Sequence, residues 1–68
     1  MNVEWIDGSV ITVRLDGGEA VITANREGLL SLAKQFTALA DAAPGSHIHY
    51  DPYNSLEEGS AGLIVEKG

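Results

Sequence analysis

His47-Ile48-His49-Tyr50-Asp51 is the stretch of this chain best suited to chemistry. On an extended strand, alternate side chains share a face about 7 Å apart, so two imidazoles and a carboxylate would stand in a row. Two histidines at that spacing can chelate a divalent metal, with Asp51 or Glu57 as a further ligand. The competing reading is that His47 and His49 hydrogen-bond within the sheet face or touch a partner. A lone His-x-His does not separate the two. The chain has no cysteine, which removes thiolate ligands and disulfides.

The other reactive residue types are less organised. Asp51, Glu57 and Glu58 lie close in sequence, and Asp41 could join them. A carboxylate pair works as acid and base only in a cleft that drives the two pKa values apart, and so short a chain has little room for one. The same residues suit a solvated loop or a surface for a basic partner. Ser46, Ser55 and Ser60 sit in no glycine-framed nucleophile elbow. Gly17-Gly18 and Gly59-Ser60-Ala61-Gly62 lack the lysine and following helix of a phosphate loop. Trp5, Tyr50, Pro52 and Tyr53 could serve as contacts, since Tyr and Trp are frequent at binding hot spots, and they suit core or edge packing equally.

The elements that must position these groups are readable from period and punctuation. Val3–Ile6 is a short apolar segment, a possible extra N-terminal strand, ended by the turn signal Asp7-Gly8. Ser9–Leu15 alternates, with Ile11, Val13 and Leu15 on one face and Val10, Thr12 and Arg14 on the other. Asp16-Gly17-Gly18 turns the chain into a second strand over 19–24. Asn25 is a good N-cap for a helix, and Glu27 suits the positive end of its dipole. Gly28 costs that helix about 1 kcal/mol relative to alanine. Leu29, Leu32, Ala33, Phe36, Leu39, Ala40 and Ala43 recur at helical spacing as the buried stripe, with Glu27, Ser31, Lys34, Ala38 and Asp41 opposite. Pro44-Gly45 ends it. A strand over 46–51 follows, with Ile48 and Tyr50 inward and His47, His49 and Asp51 outward. Ser55-Leu56-Glu57-Glu58 matches a capping box for one helical turn closed by Gly59. A last strand runs over 61–67.

This order, β-β-α-β-β, predicts a single α+β domain over residues 1–68. Its simplest form is an antiparallel four-stranded sheet with one helix packed on one face. The helix would meet Ile11, Val13, Leu15, Ile48 and Tyr50. The open face would carry Val10, Thr12, Arg14, His47, His49 and Trp5.

Length and charge bound the function. Sixty-eight residues cannot hold a dinucleotide-binding fold or a barrel enzyme. Ten acidic against four basic side chains leave a formal net charge of -6, which argues against nucleic acid and anionic membranes as partners. No apolar run reaches the roughly 18 residues of a membrane helix. The opening Met1-Asn2-Val3-Glu4-Trp5 lacks the pattern of a signal peptide. A cytoplasmic binding domain without enzymatic activity or cofactor is expected. A core of this size supplies about 3–5 kcal/mol, so self-association, including a homodimer, is a further expectation.

The second half of the chain also resembles a known family. Asn25-Arg26-Glu27-Gly28-Leu29 leading into Leu32-Ala33, then Gly45-Ser46-His47-Ile48-His49-Tyr50-Asp51, Leu56-Glu57-Glu58-Gly59-Ser60 and Leu63-Ile64-Val65-Glu66-Lys67 are similar to small bacterial immunity proteins of polymorphic toxin loci. The resemblance covers roughly residues 20–67 and takes nothing from the first 19. It implies a protein that protects its own cell by binding a cognate toxin. An acidic inhibitor would be steered electrostatically to a basic toxin. Under this reading His47, His49, Asp51, Tyr53, Glu57 and Glu58 are the expected contact residues.

Overall fold

Gly17 and Gly18 both adopt positive φ (58° and 87°). Only a two-residue turn of the primed type needs that at both positions, and its twist matches a hairpin. It joins β1 (Ile11–Asp16) to β2 (Glu19–Ala24), paired antiparallel from Ile11↔Ala24 to Asp16↔Glu19. Helix α1 (Arg26–Ala40) follows. Then β3 (His47–Tyr50) pairs antiparallel with β4 (Leu63–Glu66), from His47↔Glu66 to Tyr50↔Leu63. This computed structural model describes residues 3–68; Met1 and Asn2, the start of the segment read for a leader, lie outside them.

The element order is β-β-α-β-β, yet the expected four-stranded sheet does not form. The strands make two separate two-stranded sheets, β1-β2 and β3-β4. The reason lies along the free edge of β1. Glu57 N donates to Ile11 O (2.9 Å), Ala61 N to Val13 O (2.8 Å), and Val13 N to Ser60 Oγ (3.1 Å). Between these contacts the chain makes a tight turn, with Ser60 N on Glu57 O and Gly59 at φ 87°. An irregular segment therefore takes the hydrogen bonds that a neighbouring strand would need, and the ladder is interrupted.

Both ends of α1 are held by distant residues. The Asn25 side-chain oxygen accepts from Gly28 N (2.8 Å) and also from Val10 N (3.0 Å), while its amide donates to Gly8 O (2.7 Å). The N-cap thus staples the helix to the chain entering β1. At the other end Lys67 Nζ donates to Ala40 O (2.6 Å), a carbonyl the helix leaves free, and to Ala42 O (2.7 Å) just beyond the helix. The helix closes at Ala40, short of the expected Ala43, through Asp41 N on Ala38 O and Ala42 N on Leu39 O.

The buried side of α1 also differs from the expected stripe. Gly28, Ser31, Leu32, Gln35 and Leu39 are buried, whereas Leu29 and Phe36 are exposed. The helix is turned so that two polar residues face inward. Ser31 Oγ accepts from Ile6 N (2.9 Å) and donates to Glu27 O (2.8 Å). Gln35 Nε2 donates to Glu4 O (2.8 Å), and its Oε1 accepts from Tyr50 Oη (2.7 Å). A buried polar group is tolerated when its bonds are made, and these bonds fasten the segment Glu4–Ile6 to the helix. That segment forms no strand.

The core comprises Ile11, Val13, Leu32, Leu39, Ile48, Tyr50 and Leu56. Leu15, expected beside them, is 74% exposed. Residues 14–20 are all exposed, so the tip of the first hairpin projects past the core.

Burial pushes the Tyr50 hydroxyl up from 10.0 to about 12. A phenol held neutral by the fold stabilises it fully below its unfolded pKa and less as pH climbs past that value. Stability is therefore expected to hold up to pH 10.0 and to fall between there and about 12. Urea midpoints across that range should drop more for the wild type than for Tyr50→Phe. Equal slopes would remove Tyr50 as the cause.

Candidate functional site

His47 and His49 are exposed on the outer face of β3, with Ile48 and Tyr50 buried behind them. Their ring centroids lie 4.9 Å apart at an interplanar angle of 74°. His47 Nδ1 lies 3.1 Å from Gly45 O. The ladder adds two residues that sequence reasoning placed on β4 without joining them to the histidines. Glu66 stands opposite His47 and Ile64 opposite His49, and Ile64 is 58% exposed. Knowledge of the hairpin register is the signal that would have found them, since cross-strand partners share a face.

Asp51 does not extend the histidine row. The strand stops at Tyr50, and the Asp51 carboxylate turns back onto its own loop. Its Oδ1 accepts from Tyr53 N (2.8 Å) and Asn54 N (3.1 Å), while Asp51 O accepts from Ser55 N (3.0 Å) and Leu56 N (2.9 Å). Asn54 locks the arrangement by accepting from Asp51 N (3.1 Å) and donating to His49 O (3.1 Å). Asp51 therefore caps its own turn, which precedes the one that Ser55 was expected to cap. The Ser55 hydroxyl reaches Asn54 Oδ1 instead, and no helical turn forms at Ser55–Glu58.

The turn holds Tyr53 out of the fold, 99% exposed, while Leu56 on the same loop is buried in the core. Glu57 and Glu58 are exposed but belong to the segment along β1, where the Glu57 amide is bonded to Ile11 O. The expected contact residues thus fall into two groups. His47, His49 and Tyr53 are carried by β3 and its turn; Glu57 and Glu58 are carried by the edge of the first hairpin.

The other aromatics divide by burial. Tyr50 is in the core, and Trp5 and Phe36 pack edge-on against it at centroid distances of 6.1 and 6.5 Å. On the open side of β3, Val3, Trp5, His47, Ile48, His49 and Asn54 line a shallow groove of about 790 Å³.

Among the described residues, no three His, Asp or Glu side chains gather where they could hold a metal ion. The carboxylate nearest in sequence to the imidazoles is engaged by backbone amides. No helix of the described residues is long and apolar enough to cross a membrane.

Searches among curated proteins and among solved structures return no match. A family model described as Immunity protein 32 matches residues 19–68, from the first residue of β2 through β4, and so covers the helix, the histidine strand and the Tyr53 turn. With well over half of its length matched, the chain belongs to the Immunity protein 32 family.

Proposed function

We propose that this protein neutralises a cognate bacterial toxin by binding it, without chemistry of its own. The family match over residues 19–68 carries this reading. The surface supports it. Tyr53 presents a whole phenol ring to solvent on a turn fixed by Asp51 and Asn54, and rigid exposed aromatics are favoured anchors in interfaces. His47 and His49 are exposed on the strand that leads into this turn, and Glu57 and Glu58 are exposed on the segment that follows it along β1. Asp51 acts by shaping the turn. A standard interface buries about 800 Å² per partner, about a sixth of the 4546 Å² this chain exposes. The net charge of -6 favours a toxin with a basic surface.

The direct test is co-expression with the product of the adjacent gene. Growth should be restored when both are made. A toxic product that this protein does not relieve would exclude the reading.

Within the complex, Tyr53→Ala is expected to weaken binding about tenfold, a loss of about 1.4 kcal/mol. The free protein's melting temperature should not move, because the ring contacts solvent. Calorimetric titration checks the first and a thermal melt the second. Unchanged affinity would remove Tyr53 from the interface.

A further inference from the structure

The hydrogen-bonding direction of β3 leaves one of its edges open. Lys67 N donates to Ser46 O (2.9 Å). Ser46, Ile48 and Tyr50 are in phase along the strand, so their backbone groups turn toward β4 and those of His47 and His49 turn away. On that outer side Asn54 Nδ2 donates to His49 O. The register keeps the amides of His47 and His49 out of the β3–β4 ladder, and among the described residues no turn or loop backbone group bonds to them. The groove walled by Val3 and Trp5 lies along this edge. The comparable edge of β1 is covered by the Glu57–Ala61 segment. An unpaired edge is a template for another strand, and proteins usually block one with lysine, proline or a covering segment. His47–Tyr50 contains neither lysine nor proline.

We infer that the toxin adds an extended strand to this edge of β3, pairing its backbone with the amides of His47 and His49. The inference rests on the immunity reading and specifies how that surface binds. The occupant is a strand bearing lysine or arginine. The groove lining holds no Lys, Arg, Asp or Glu, and the carboxylates next to it in sequence or register are Glu4, between Val3 and Trp5, and Glu66, opposite His47, on a chain of net charge -6. A second copy of this chain fits worse, because pairing β3 with itself joins two chains that each carry a net charge of -6 and repel one another.

Amide hydrogen exchange by NMR tests this on the full chain, free and bound to an inactivated form of the adjacent gene's toxin. The His47 and His49 amides should exchange rapidly in the free protein and slow by about 100-fold or more in the complex. His49→Pro, which removes one edge donor, should weaken binding more than His49→Ala, with both variants retaining the wild-type circular dichroism spectrum. A complex in which both amides exchange as in the free chain overturns the inference and leaves toxin binding intact. Amides already protected in the dilute free chain overturn it too, because the edge is then filled from within. A toxin that does not bind defeats the immunity reading and this inference together.

Discussion

Tyr50→Ala is expected to leave the chain unfolded at 25 °C. Tyr50 is 1% exposed, and truncating a large buried aromatic costs about 3–5 kcal/mol. A core of this size supplies about as much in total. The loss is also not confined to one cavity. Trp5 and Phe36 both rest edge-on against the ring, and Gln35 would lose the hydroxyl that satisfies its buried oxygen. Circular dichroism should show loss of ordered structure, and urea titration should show no folded baseline. Tyr50→Phe separates the two roles. It keeps the ring and strands only the Gln35 acceptor, so about 1–3 kcal/mol should be lost with the fold retained. A Tyr50→Ala protein melting within a few degrees of wild type would mean that the core lies elsewhere.

Gly28→Ala has the second largest expected effect, and its sign opposes helix propensity. Alanine is favoured over glycine inside a helix by about 1 kcal/mol, so the sequence alone predicts a gain. In the fold, a Cβ at position 28 would lie 2.8 Å from Ile11 Cγ1 and 3.0 Å from Val10 O. Neither can move away easily. Ile11 is 1% exposed in the core, and Val10 O accepts from Asn25 N (3.1 Å), the residue that caps the helix. Overpacking at such a site costs about 1–3 kcal/mol, and the net expectation is a destabilisation of about 2 kcal/mol. Urea denaturation measures it. A stabilised Gly28→Ala protein would show that α1 does not approach β1 this closely.

Gly28 also accounts for the departure of the buried face of α1 from the apolar stripe. Counting apolar residues selects Leu29 and Phe36 as inward. The close approach at Gly28 instead turns Ser31 and Gln35 inward, where they bond Ile6, Glu4 and Tyr50. Polar residues that find buried partners override an apolar count, and nothing in a periodicity identifies the partners. The candidate site divides in the same way. Alternation shows that His47 and His49 share a face. It cannot show that the strand ends at Tyr50, or that the Asp51 carboxylate is consumed by the amides of Tyr53 and Asn54.

What the sequence determined by itself is local. The hairpin closed by Gly17-Gly18, the cap at Asn25, the alternation of His47–Tyr50 and the order of the elements follow from turn chemistry and side-chain period, which act over a few residues. Only the tertiary structure decided that the strands form two sheets, which side of the helix is buried, and that Tyr53 stands free. Those outcomes depend on bonds between residues far apart in the chain. Ser31 reaches Ile6 across 25 positions, Lys67 reaches Ala40 across 27, and Ser60 reaches Val13 across 47. Such bonds form only where the whole chain has brought donor and acceptor within about 3 Å, a condition that no local pattern encodes.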